Sequence, residues 1–150
     1  MIRMPMMRIP TLGTMLCMLA APLAALTLAL PARAAGGQMV HDGVTVTPLM
    51  TQELPEYPGK EAVMISVEYA PGAADPVHRH DAHAFLYVLE GSIVMGVKGG
   101  KEVTLKPGQT FHEGAQDIHT VGRNASRTQP AKFIVVLLKD KGAPILTPIK

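Results

Sequence analysis

Three of the chain's six histidines, His78, His80 and His83, stand within six residues. A neutral imidazole is a nitrogen donor to divalent metals. In an extended segment, residues two apart share a face. His78 and His80 are therefore two donors on one side of the backbone, which is half of a metal site. A polar loop, with Arg79 and Asp81 keeping the rings solvated, would use the same residues. Further donors lie at His119 and at the neighbouring pair His112 and Glu113, while His41 sits on the N-terminal side of the first strands. The pair at 112 and 113 alternates faces, so at most one of the two points inward. His112 reads more readily as a pocket residue than as a ligand. No G-x-S-x-G stretch, phosphate-binding glycine loop or Ser-His-Asp arrangement offers a competing chemistry.

The histidines must be positioned by strands. The segments VTVTPLM (44–50), AVMISVEY (62–69), AFLYVLEG (84–91), SIVMGV (92–97) and KEVTLKPG (101–108) alternate or are rich in β-branched residues. Between them fall turn signals: two prolines and a glycine in 52–61, APGAADP at 70–76, and Gly99-Gly100, which predicts a tight hairpin. AKFIVVLLK (131–139) is nearly continuous apolar, as expected of a strand covered on both faces or at a subunit interface. Residues 35–43 read as a loose arm with His41 solvated, and GAPILTPIK as a tail. Short strands about every ten residues, without a long helical pattern, predict an all-β sandwich or barrel.

The start of the chain has a different character. Arg3 and Arg8 precede an apolar stretch from Leu12 to Leu30, and Ala32-Arg33-Ala34 follows. Basic start, apolar middle and small-residue end are the layout of a secretory signal peptide. The expectation is a leader over 1–34, a single domain over 35–150 with its core at about 62–139, and a periplasmic or secreted destination. The leader would take three arginines, leaving eleven basic against twelve acidic residues, and the only cysteine, Cys17. The remainder is then near neutral, with no basic run for nucleic acid. It has no membrane attachment and no disulfide, and any metal ligands would be histidine or oxygen.

The stretch PGAADPVHRHDAHAFLYVLEG resembles the first motif of the cupins: a glycine, five residues, H-x-H, then a glutamate and a closing glycine. Gly72, His78, His80 and Gly91 fall at those spacings. The second motif, a histidine followed by asparagine, is matched more loosely by His119 and Asn124. The resemblance covers roughly residues 62–139 and implies a jelly-roll, or double-stranded β-helix, barrel with a site between its sheets. It also implies metal ligation by His78, His80 and His119. The motif glutamate falls on Ala84 or Phe85, neither of which binds metal. His83 is an additional ligand only if the turn at Asp81-Ala82 breaks strand parity.

A divalent ion held by three neutral imidazoles keeps its full double charge and open positions. That arrangement favours a small oxygen-rich substrate and suits iron, zinc, copper or nickel better than manganese. Ala84 and Leu86, with His112, are the expected pocket residues. Two functions fit: a dioxygenase- or isomerase-like metal-dependent enzyme, or a non-catalytic cupin module that binds a small molecule or a metal. The apolar 131–139 strand adds the expectation of a homodimer.

Overall fold

The computed structural model describes residues 37–149, so the leader expected over 1–34, with Cys17, lies outside the described residues. Its elements are β1 (Met39–His41), β2 (Val44–Glu53), β3 (Lys60–Tyr69), β4 (His78–Arg79), β5 (Ala82–Glu90), β6 (Ile93–Val97), β7 (Val103–Leu105), β8 (Thr110–Glu113), β9 (His119–Asn124), β10 (Ala131–Asp140) and β11 (Thr147–Pro148). All pairings between these strands are antiparallel. They form a six-stranded sheet, β1-β2-β3-β10-β5-β8, and a five-stranded sheet, β11-β4-β9-β6-β7. This is the all-β jelly roll that the strand pattern and the resemblance imply.

Alternation explains the packing. In β5, Ala82, Ala84, Leu86 and Val88 are buried, while His83, Phe85, Tyr87 and Leu89 face out. In β10, Ala131, Phe133, Val135 and Leu137 join Val63, Ile65, Val67 and Tyr69 of β3 in the core, and Ile93, Met95 and Leu105 enter it from the other sheet. The Tyr69 and Phe133 rings meet edge to face at 5.0 Å. The expectation that β10 is covered on both faces does not hold within the chain. β10 is central in its sheet, yet its outer residues Ile134 and Val136 are half-buried and Leu138 is 41% exposed.

The motif glycines have backbone reasons. Gly91 has φ +70°, and a Cβ there would lie 2.4 Å from the Pro130 carbonyl oxygen. Gly72 also has positive φ, at +75°. Asn124 is a clamp: its side-chain amide donates to the carbonyls of Tyr69, Ala70 and Gln129, and its oxygen accepts from the Ser126 amide.

Both ends of the described chain are better ordered into the sheets than their sequences suggest. The expected loose arm forms β1, paired with β2 at Met39↔Val46 and His41↔Val44. The expected tail forms β11, paired with β4 at Thr147↔Arg79 and Pro148↔His78. Proline obscures the second strand in sequence, but Pro148 sits on a sheet edge, where its missing N–H costs no ladder bond.

Candidate functional site

His78 and His119 are cross-strand partners in the five-stranded sheet, directly opposite one another on β4 and β9. His80 follows two residues later on the same side. Asp81 then takes φ +49°, and the chain turns from β4 of one sheet into β5 of the other. Arg79 and Thr147 hold the Asp81 carboxylate at 2.9 and 3.3 Å. The ligand-capable atoms of the three histidines lie within 4.8 Å of one another. His78 Nε2 is 3.2 Å from His80 Nε2 and 3.3 Å from His119 Nδ1.

The opposite ring nitrogens fix the tautomers. His78 Nδ1 donates to the Pro76 carbonyl, His80 Nδ1 to the Ile145 carbonyl and His119 Nε2 to the Val121 carbonyl, each at 2.7 Å. A carbonyl only accepts, so each of these nitrogens carries the proton. The three nitrogens left over, each with a lone pair, are the ones that converge. Burial lowers the pKa of all three rings, that of His119 to about 4, so they are neutral at neutral pH. Gly122 makes room for the third: a Cβ there would lie 2.8 Å from His119 Cε1 and 3.0 Å from Asp75 Oδ2.

A carboxylate lies beside the cluster, and it comes from β8 rather than from the β5 position where the first motif has its glutamate. Glu113 on β8 is directly opposite Ala84 on β5. Its side chain points inward and is buried. Oε2 lies 3.6 Å from His119 Nδ1 and 3.7 Å from His80 Nε2, and it has no hydrogen-bond partner among the described residues. Burial first, then the charges of Asp117 and Asp75, raises the Glu113 pKa to about 7. Asp75, which accepts from the buried Tyr69 hydroxyl, is likewise raised by burial.

The remaining expectations separate. Leu86 lines the cavity beside the histidines. Ala84 faces inward but is not part of the cavity wall, whereas its partner Glu113 is. His112 is a correction: it lies on the outer face of the six-stranded sheet, because Glu113 takes the inward parity. His83 is a second correction. Regular alternation resumes at Ala82, so His83 points out, where its Nδ1 lies 3.2 Å from His112 Nε2. His41 is exposed beside Asp42 at the cavity edge.

The cavity has a volume of about 540 Å³. Val44, Val46, Ile65, Val67, Leu86, Met95, Phe133 and Val135 form its walls, and β1 and residues 144–148 lie along it. Among the described residues, its polar side chains are His41, Asp75, the three histidines and Glu113, with no lysine or arginine.

The donor set fits a divalent ion. Ligand atoms about 2.0–2.1 Å from zinc at tetrahedral corners lie about 3.3 Å apart, close to two of the nitrogen separations here. Three lone pairs and an orphaned carboxylate oxygen facing one another repel unless a positive charge lies among them. His78, His80 and His119 would hold such an ion, and their protonated nitrogens are oriented by backbone carbonyls as metal-binding histidines usually are.

A family model described as "Cupin domain" matches residues 65–137. No curated protein matches the chain in sequence. Among solved structures, an RmlC-like cupin from Shewanella frigidimarina superposes with TM-score 0.55 at 18% identity, over 70% of this chain and 84% of that one. The polyketide cyclase RemF from Streptomyces resistomycificus gives 0.54 at 22% identity, over 72% of each chain. A recombinant oxalate oxidase in complex with glycolate gives 0.56 at 24%, over 76% of this chain and 59% of that one. At these identities the likeness speaks for the fold alone. The family match over 65–137, the motif glycines, the paired histidines of β4 and β9 and the two-sheet topology agree, and the described chain has the cupin fold.

Proposed function

We propose that the protein is a metal-dependent enzyme acting on a small molecule with an apolar body and an oxygen-bearing end. The observation that carries this reading is the convergence of three tautomer-fixed imidazole lone pairs on the wall of a half-open, mainly apolar cavity. A bound divalent ion would supply Lewis acidity toward a substrate oxygen. The chain's own groups do the rest. Aliphatic walls orient the apolar body, and Asp75 offers a buried carboxyl group for holding or moving a proton. The lining shifts the substrate class expected from sequence. With two carboxyl groups and no lysine or arginine among its described lining residues, the cavity suits a phenol, enol or diketone better than a multiply anionic, oxygen-rich acid.

Cupin neighbours described as a cyclase and an oxidase illustrate that the fold does not select the chemistry. The test is therefore direct. Elemental analysis of the purified full chain, followed by zinc and cobalt titration of the stripped protein, should give one ion per chain. His119→Ala should abolish binding, and His112→Ala, on the outer face, should not. A wild-type protein that binds no divalent ion overturns the reading. Ligands that perturb the cobalt spectrum without being turned over would favour the non-catalytic module instead. We also propose export by the 1–34 leader, supported by Arg3, Arg8 and Ala32-Arg33-Ala34. The intact mass of the exported form should begin near Ala35.

A further inference from the structure

We propose that Glu113 is a fourth metal ligand, donated from β8 to replace the carboxylate missing at position 84. This rests on the metal-site reading above. The two residues are directly opposite in the β5–β8 pair. Cross-strand partners have Cβ atoms about 4.5–5.5 Å apart, so a long side chain at 113 reaches the space that one at 84 would fill. Ala84 leaves that space free, and Glu113 extends into it.

The orphaned oxygen supplies the second argument. Glu113 Oε2 is buried and without a hydrogen-bond partner among the described residues, a costly state for a carboxylate. Its nearest nitrogens, His119 Nδ1 at 3.6 Å and His80 Nε2 at 3.7 Å, are too distant for hydrogen bonds. They are also the nitrogens whose protons sit on the far side of each ring. Acceptor faces acceptor, and a cation between them makes every one of these contacts favourable. Ligation by Glu113 lowers the net charge of the site from +2 to +1. It also adds an oxygen donor, so manganese joins the metals the site suits.

The experiment is zinc titration of the stripped full chain, with circular dichroism to verify folding. Glu113→Gln should weaken zinc at least about tenfold, since even residues that only support a ligand commonly cost 10–100-fold. The transposed double variant Ala84→Glu/Glu113→Ala should recover most of the affinity. In wild type, the zinc-minus-metal-free infrared difference spectrum should carry a coordinated-carboxylate band. That readout does not depend on a variant folding. Zinc affinity unchanged in Glu113→Gln while His119→Ala loses it would overturn the proposal and leave the three-histidine site standing, as would a wild-type spectrum without the band. A wild type that binds no zinc would overturn both.

Discussion

At residue scale, the site opposes two kinds of titration. The buried rings of His78, His80 and His119 have lowered pKa values. On acidification the unfolded chain takes up protons near pH 6.5 before the folded chain does, so stability falls as the pH drops toward about 4, where His119 titrates. Glu113 works in the other direction. Its pKa is raised to about 7, so the folded chain holds its proton more tightly than the unfolded chain. That contribution is present below about 4.5 and is lost as the pH rises to 7. With three histidines against two raised carboxyls, Glu113 and Asp75, the metal-free protein should melt at lower temperature at pH 5 than at pH 7. Glu113→Gln should steepen that dependence, as thermal melts across the range would show. Ala84→Glu alone offers a sharper contrast. The motif argument on its own would have it tighten metal binding. Position 84 is 2% exposed and faces Glu113, so a second carboxylate there is crowded and repelled, and both zinc affinity and stability should drop. The sequence made the histidines legible because spacing of two within one strand is local information. Glu113 was legible only as the alternative to His112 for the inward position, because its nearness to Ala84 is set by pairing between strands 29 positions apart, which strand parity cannot report.

At the scale of elements, the segment after β10 is tied down by a buried ion pair. Lys139 faces inward at the end of β10 and meets Glu61 of β3, and its ammonium also donates to the Ala143 carbonyl at 2.6 Å. Glu61 in turn accepts from the Gly142 amide at 3.2 Å. Removing one partner of a buried pair typically costs about 3–5 kcal/mol. Lys139→Ala should therefore lower stability to urea by that order and weaken zinc several-fold, because residues 142–148 carry the Ile145 carbonyl that orients His80. The compensated variant Lys139→Met/Glu61→Leu should regain much of the stability. Alternation in 62–69, 84–91 and 131–139 was strong enough to read from sequence, because each strand has one face in the core. Neither β1 nor β11 shows it. All three residues of β1 are exposed and β11 is two residues long, so burial left no periodic mark on them.

At the scale of the whole molecule, the six-stranded sheet presents an unusually apolar exterior. Phe85, Tyr87 and Leu138 are each more than two-fifths exposed on adjacent strands β5 and β10, and Leu89 is nearly so. A continuous patch of this kind marks an association surface more often than plain solvent-facing sheet. We expect a homodimer through this face. Light scattering at micromolar concentration should give twice the chain mass, and Leu138→Asp should give the monomer. A monomeric wild type would remove the explanation for the apolar outer side of β10.

The hydrogen bond from His80 to the Ile145 carbonyl, and the pairing of Pro148 with His78, also concern time. The histidine cluster is drawn from residues 78–119, but its orientation depends on a segment synthesised about 65 residues after His80. Contacts so distant in the chain close late in folding. A nascent chain that has released only its first 130 residues would have every histidine and no finished receptor. On the metal-site reading, loading should then follow completion of the fold, so the ions dissolved wherever folding ends, rather than those around the ribosome, would select the metal.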